Sequence, residues 1–132
     1  MIGYITLGTN DLDRAASFYD ALFEAIGGRR TMTDDRMLGW GGGTGSQTMF
    51  SVILPYDGEA ATVGNGVMVA LDVETPERVE QIYQKALALG AEDEGHPHDR
   101  GSTMGFYGGY FRDLHGNKLV AYCLGYDPAA AD

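Results

Sequence analysis

Apolar residues alternate with other residues in several short segments and recur at helical spacing in two longer ones. Residues 2–8 alternate as in a strand and lead to Asn10, the predicted N-cap of a helix whose apolar stripe extends to Ile26. Gly27 and Gly28 follow and predict the end of this helix. Further strands are predicted at 28–33, 36–41 and 48–54, with a flexible glycine-rich loop at 41–46. This half is therefore predicted to fold as a strand, a helix and three strands.

The same order of patterns returns about 64 residues later. Residues 67–73 alternate and precede Thr75, a predicted N-cap with Pro76 at the first helical position. The second helical stripe is closed by Gly90. Strands are then predicted at 92–96, 105–113 and 118–124. The sequence therefore contains two similar strand–helix–three-strand modules.

This repeat predicts the fold class, α+β, with tandem βαβββ modules. One domain is expected at 1–126, with module one at 1–55, a linker at 56–66 and module two at 67–126. Residues 127–132 are expected to be a flexible tail. One helix per module covers one face of each sheet and leaves the other face free to curl around a cavity. We expect a curled, cup-shaped mixed β-sheet with the helices on its outer face.

Residues 107–123 predict a hairpin with its turn at 114–117. Gly116 and Asn117 suit the positive φ that such a turn requires. The alternation then puts successive side chains of the last strand on opposite faces. Lys118, Val120 and Tyr122 share one face, and Leu119, Ala121 and Cys123 share the other.

Composition limits the classes of partner. The 132 residues include 19 acidic and 9 basic side chains, and the net charge of −10 argues against a nucleic-acid surface. The one cysteine excludes an internal disulfide and fits a reducing compartment. No apolar run approaches membrane-spanning length. We expect a cytoplasmic protein with a small-molecule ligand and without nucleic-acid or membrane partners.

Three segments carry a family resemblance: GYITLGTNDLDRAASFYD at 3–20, GNGVMVAL at 64–71 and YFRDLHGNKL at 110–119. Together with the order of elements, they resemble the vicinal oxygen chelate superfamily, which includes glyoxalase I, the bleomycin-resistance proteins and the extradiol dioxygenases. This fold hosts isomerases, lyases, dioxygenases, transferases and pure binding proteins, so the resemblance does not specify a reaction.

In metal-dependent members of this superfamily, His or Glu side chains from the first and last strands of each half hold the ion. The resemblance puts these positions at Tyr4, Met68 and Val120, and the strand at 49–54 contains no His, Asp or Glu in any register. A thioether and an isopropyl group cannot replace imidazole or carboxylate ligands for zinc, nickel, iron or manganese. We therefore expect no metal at the usual site and no cofactor.

Other residues are candidates for ligand binding. The side chains expected to face the cup combine apolar bodies with hydroxyl tips, which suits a small aromatic or amphipathic molecule; the alternative is that they fill a closed core. They are Tyr4, Thr6, Met68, Ala70, Val120 and Tyr122. Trp40 is either a stacking wall at the rim or an ordinary packed residue. Arg112, like Arg36, either binds a ligand carboxylate or forms a surface ion pair.

His96 and His98 have a spacing that allows chelation from one side of an extended segment. Pro97 and the neighbouring Glu94, Gly95 and Asp99 instead indicate a solvated loop, which is the favoured interpretation. His115 is expected to lie in the surface turn and to have a structural role there.

Three functional hypotheses follow. The leading one is a glyoxalase/bleomycin-resistance-like protein that binds a small organic molecule in its cup without the superfamily metal. The second is a lyase, isomerase or dioxygenase-type enzyme that uses non-standard metal ligands or tyrosine acid–base groups. The third is a structural or regulatory homodimer with a closed cup.

We predict that the chain forms a homodimer. Open sheets leave unpaired edges, and proteins of the kind it resembles complete the cup by pairing modules within or between chains. Light scattering at micromolar concentration should give about twice the 14.2 kDa mass of the chain. A monomer under these conditions would contradict the prediction.

Overall fold

A computed structural model describes residues 1–43 and 47–130. It confirms the α+β class and the two βαβββ modules. The chain divides into two units: the first comprises residues 1–67 and 114–117, and the second comprises residues 68–113 and the chain from Lys118 onward. Part of the predicted loop at 41–46, namely 44–46, and the last two residues of the predicted tail lie outside the described residues.

The elements of each unit follow the predicted order. Those of the first unit are β1 (Tyr4–Gly8), α1 (Leu12–Glu24), β2 (Arg29–Thr33), β3 (Met37–Gly41) and β4 (Met49–Ile53). Those of the second are β5 (Val69–Asp72), α2 (Pro76–Ala88), β6 (Glu92–Asp99), β7 (Tyr107–Arg112) and β8 (Lys118–Cys123). A short 3₁₀ helix at Pro128–Ala130 occupies part of the segment predicted to be a flexible tail.

The two helices repeat at a constant offset along the sequence. Leu12 and Pro76, which begin α1 and α2, are 64 positions apart, and so are Glu24 and Ala88, which end them. Both helices contain 13 residues. The offset inferred from the sequence pattern is therefore confirmed.

One of the two predicted helix caps is correct. Thr75 caps α2, because its hydroxyl accepts a hydrogen bond from the amide of Arg78 at 3.2 Å. The prediction for α1 was wrong by one residue: Asp11 is the N-cap, and its carboxylate accepts from the Arg14 amide at 3.0 Å. Asn10 instead accepts a hydrogen bond from the amide of Ala61 at 2.7 Å. Asn10 thus holds the segment between the modules.

The two sheets share one strand order. The first is β1-β4-β3-β2 and the second is β5-β8-β7-β6, so in each sheet the first and last strands of the module pair in parallel. Thr6 lies opposite Ser51 in the first ladder, and Ala70 lies opposite Val120 in the second. Because Thr6 and Ala70 are related by the 64-residue offset, Ser51 is the structural counterpart of Val120.

An aromatic cluster forms the core between α1 and the first sheet. The ring centroids of Tyr19 and Phe50 are 4.8 Å apart, those of Phe23 and Phe50 are 5.0 Å apart, and those of Tyr19 and Trp40 are 5.4 Å apart. Trp40 is only 1% exposed, and its indole N–H donates to the Asp20 carboxylate at 2.8 Å. Asp20 also accepts hydrogen bonds from Arg30. The hydrogen bond from Arg30, and next that from Trp40, lower the pKa of Asp20 against the opposing effect of burial.

In the second unit, α2 packs on the other sheet through fully buried side chains. Val79, Ile82 and Ala86 from the helix are as buried as Phe111, Leu119 and Ala121 from the strands. Tyr83 on α2 donates its hydroxyl proton to the Asp93 carboxylate on β6 at 2.7 Å. Burial, and then this hydrogen bond, raise the pKa of Tyr83 to about 12. The hydroxyl therefore stays protonated and ties the helix to the sheet.

Two details of the predicted loops differ in the structure. Gly116 has a φ of +107°, as the turn requires, but Asn117 does not adopt positive φ. The side-chain amide of Asn117 instead donates to the carbonyl of Gly8 at 2.9 Å. His115 is half-buried, and its Nε2 lies 3.2 Å from the carbonyl of Ala61, which can only accept a hydrogen bond. The turn is therefore an integral part of the first unit rather than a solvated connection.

Within residues 1–43 and 47–130, neither long helix has the length and apolar character needed to cross a bilayer.

Replacing Asp20 by Ala should lower the free energy of unfolding by about 1–3 kcal/mol, because the buried Trp40 N–H would lose its acceptor. Chemical denaturation monitored by tryptophan fluorescence measures this difference. Glu24→Ala, at an exposed position at the end of the same helix, is the matched control and should change stability by less than about 0.5 kcal/mol.

The effect of Asp20→Ala should depend on pH. The folded-state pKa of Asp20 is lowered, so its contribution is fully present above the unfolded pKa of about 4. That contribution is lost as the pH falls through the lower folded-state value. A difference between the wild type and Asp20→Ala that stays constant from pH 7 to pH 2 would contradict this interpretation.

Candidate functional site

Each sheet has one face turned away from its helix, which we call the helix-distal face. In the first sheet, alternate residues of the strands are buried against α1: Leu7, Leu38, Trp40, Phe50 and Val52. The residues between them belong to the helix-distal face: Tyr4, Thr6, Gly39, Met49 and Ser51. The predicted site residues Tyr4 and Thr6 thus share one face.

The helix-distal face of the first sheet combines hydroxyl groups with a thioether. Tyr4 is 60% exposed and Thr6 is also exposed. Met49 reaches across Gly39, since a Cβ built on Gly39 would lie 2.6 Å from the Met49 sulfur. Any side chain at position 39 would require the flexible Met49 side chain to move. This face therefore combines the flexible, polarizable thioether of Met49 with the hydroxyl groups of Tyr4 and Thr6.

The hydroxyl of Ser51 is the unusual polar group on this face. Ser51 is fully buried, and its Oγ has no hydrogen-bond partner among the described residues. A buried hydroxyl without a partner is destabilising by about 1–3 kcal/mol.

On the second sheet, an aromatic stack covers part of the helix-distal face. The rings of Phe106 and Tyr122 lie 5.0 Å apart and almost parallel, with an interplanar angle of 4°. Phe106 lies over Gly108, where a Cβ would be 2.7 Å from the ring and 3.2 Å from a methyl carbon of Val120. Val120 is fully buried and Tyr122 half-buried. The predicted residues Val120 and Tyr122 therefore share the helix-distal face of the second sheet.

Burial, and next the nearby Asp72 carboxylate, raise the pKa of Tyr122. The hydroxyl therefore remains protonated at neutral pH. It can donate a hydrogen bond to a ligand but is unsuited to act as a general base.

Two cations flank Tyr110 on the same sheet. The Arg100 guanidinium lies 4.8 Å from the ring centroid, and the Lys118 ammonium lies 5.4 Å from it. Arg100 is held by backbone carbonyls, including that of Gly108 at 3.0 Å. This part of the face thus carries positive charge although the whole chain is strongly acidic.

Two predicted ligand-binding residues have other roles in the structure. Arg112 forms an ion pair with Glu94, the surface-pair alternative that the sequence left open. The hydrogen bond and the charge of Arg112 lower the pKa of Glu94. Trp40 belongs to the helix-facing core, which is the packed alternative. Met68 directly precedes β5 and is 41% exposed.

The residues at the metal-ligand positions can be compared with the chemistry of a metal site. The resemblance implies Tyr4 in the first unit and Met68 and Val120 in the second at these positions, and the ladder register makes Ser51 the counterpart of Val120. A methionine thioether prefers soft ions, and an isopropyl group has no lone pair. Met68 and Val120 therefore supply no donor suited to a zinc, nickel, iron or manganese ion. Sequence reasoning missed Ser51, because the position depends on the β1–β4 register.

Over residues 1–43 and 47–130, no cluster of three or more His, Cys, Asp and Glu side chains is arranged to hold a metal ion.

Comparison with family models gives a match over residues 1–120 to the Glyoxalase/Bleomycin resistance protein/Dioxygenase superfamily. A search of curated protein sequences gives no significant match.

Solved structures agree with this match. A glyoxalase/bleomycin resistance protein from Albidiferax ferrireducens is 27% identical with a TM-score of 0.82, over 93% of this chain and 98% of that one. A hypothetical protein from S. aureus is 26% identical with a TM-score of 0.69, over 93% and 92% of the two chains. A lactoylglutathione lyase from Agrobacterium tumefaciens, at 20% identity and a TM-score of 0.66 over 92% of each chain, shares the fold.

Ser51→Ala should leave the free energy of unfolding unchanged or raise it by about 1 kcal/mol, because it removes a buried hydroxyl without a partner. Chemical denaturation measures the difference. Thr75→Ala is the matched hydroxyl deletion, and it should lower stability by about 1 kcal/mol because its hydroxyl caps α2. A loss of 1 kcal/mol or more in Ser51→Ala would show that the Ser51 hydroxyl has a stabilising partner in solution.

Proposed function

Because the chain belongs to the glyoxalase/bleomycin resistance protein/dioxygenase superfamily, we propose that it binds a small organic molecule without the metal of metal-dependent members. The observation that carries this proposal is the chemistry of the four metal-ligand positions. None of them holds a His, Asp, Glu or Cys side chain. One fold can host both catalysis and binding, so membership of this superfamily is compatible with binding alone.

The side chains on the helix-distal faces are suited to contact a ligand with a flat apolar body. Met49 offers a thioether, and Phe106 and Tyr122 offer stacked rings with one hydroxyl at the end. Aromatic molecules gain from stacking on such rings and from contacts with sulfur. The proposed ligand class is therefore small aromatic or amphipathic molecules.

Hydroxyl groups beside these apolar surfaces supply polar contacts. On the first sheet, Thr6 is exposed, and its hydroxyl can donate a hydrogen bond to a ligand oxygen or nitrogen. On the second sheet, Tyr122 keeps its proton and can donate in the same way. Donors without an activated base or nucleophile favour binding over catalysis, so sequestration is preferred to the enzyme hypothesis.

Native mass spectrometry of the protein as purified tests this proposal. We expect one retained organic molecule per chain and no transition-metal ion that survives dialysis. The metal measurement uses the His96→Asn/His98→Asn double variant, so that surface histidines do not contribute. Met68→Trp should abolish the retained molecule if Met68 contacts it as proposed, because the larger ring would occupy the surface beside β5. Since Met68 is 41% exposed, the unfolding temperature should change by only about 2 °C or less.

The matched control is Tyr56→Trp, which adds the same ring at a position that is 92% exposed and outside both faces. It should retain the molecule. A dialysis-resistant ion in the double variant would contradict the metal-free proposal. A Met68→Trp variant that is strongly destabilised, from a parent that retains no molecule, would favour a closed core and a structural role.

A further inference from the structure

The structure changes the interpretation of the His96–Pro97–His98 segment. These residues do not form the solvated loop that their composition suggested; they belong to β6, which continues to Asp99 and is an edge strand of the second sheet. His98 pairs with Gly108 in the β6–β7 ladder. Proline is tolerated there because an edge strand leaves one row of amides unpaired.

Pro97 fixes the direction in which its neighbours point. A Cβ built on Gly109 would lie 2.8 Å from the Pro97 ring and 3.0 Å from the ring of Tyr83 on α2, so Pro97 lies on the helix side of the sheet. Side chains alternate along a strand, and the flanking residues therefore point away from α2. His96 and His98 are both exposed on that side.

The two imidazoles lie close together. Their ring centroids are 4.9 Å apart, with an interplanar angle of 44°. The Nδ1 atom of His98 is 2.9 Å from the carbonyl oxygen of His96, and because a carbonyl can only accept, Nδ1 carries the proton. The lone pair of the neutral ring is then on Nε2. Histidines that ligate metals typically have their other ring nitrogen engaged in this way.

The surrounding backbone is held in place. The carbonyl of His96 also accepts a hydrogen bond from the Arg100 guanidinium at 2.8 Å, and Arg100 bonds the carbonyl of Gly95 at 3.2 Å. Arg100 adds one positive charge beside the two histidines, and of the acidic residues of β6, Asp93 accepts a hydrogen bond from Tyr83 and Glu94 pairs with Arg112. The proposed site therefore depends on the imidazole nitrogens rather than on local negative charge.

We propose that His96 and His98 bind one divalent transition-metal ion of the zinc, nickel and copper class on the exposed side of β6. Imidazole nitrogen suits these ions, whereas magnesium and calcium prefer oxygen ligands. Two nitrogens fill part of the coordination sphere, and water fills the rest. The site is formed by β6 alone, and neither histidine is at a metal-ligand position that the superfamily resemblance implies.

Isothermal titration calorimetry with Zn²⁺ tests the proposal on the full chain after chelator treatment and dialysis. We expect one ion per chain and no heat of binding with Mg²⁺. His98→Asn keeps a side-chain donor for the His96 carbonyl but removes the ligating nitrogen, and it should weaken Zn²⁺ binding about tenfold or more. His96→Asn should have a similar effect.

His115→Gln is the matched control, since it removes the third histidine of the chain and should leave Zn²⁺ affinity unchanged. The imidazole proton resonances of His96 and His98, and not those of His115, should shift on addition of Zn²⁺. Thermal melts in the absence of metal check that each variant folds. Unchanged affinity in either His96→Asn or His98→Asn, or a tenfold loss in His115→Gln, would overturn the proposal.

Discussion

The parallel ladder between the first and last strands of each module is the constraint on which the candidate site depends. It puts Thr6 beside Ser51 in the first sheet and Ala70 beside Val120 in the second. With one helix on one face of each sheet, the period of two along a strand assigns every other side chain to the core. A slip of one residue would exchange the side chains that face the helix with those that face away from it. The register therefore determines both the core and the groups available to a ligand.

The two helix-distal faces have different chemistry although the modules have the same order of elements. The first presents hydroxyls and a methionine sulfur laid over Gly39, whereas the second presents stacked rings and cations beside Tyr110. The fold requires only that these positions do not disturb the helix-facing core. They are consequently free to diverge, and the ligand chemistry of one module cannot be inferred from the other.

Much of the fold could be predicted from the sequence, because its patterns are local. The structure confirms the two helices and their 64-residue offset, and Thr75 caps α2 as predicted. The errors occurred where distant residues decide the outcome. Pro97, with Glu94, Gly95 and Asp99, made the end of β6 look like a loop, but pairing with β7 and packing against Gly109 keep the segment in the sheet. Ser51 likewise has no local signal of its place in the ladder.

Trp40 shows a further limit of local reasoning. A tryptophan before three glycines fitted either a rim or a core, and the choice depends on Asp20, which lies 20 positions earlier and supplies the acceptor for the indole N–H. Asn10 and Asn117 were both assigned local backbone roles, yet each hydrogen-bonds a distant segment. Polar side chains in loops can serve long-range contacts that their neighbours do not reveal.

The membership of residues 114–117 in the first unit has a consequence for the order of folding during synthesis. When the ribosome has produced residues 1–67, the strands and helix of the first module are present. The hydrogen bonds from Asn117 to the Gly8 carbonyl and from His115 to the Ala61 carbonyl cannot form until the β7–β8 turn has emerged. The first module must therefore wait for the synthesis of residues 114–117 to reach its native hydrogen bonding, although its secondary structure is encoded locally.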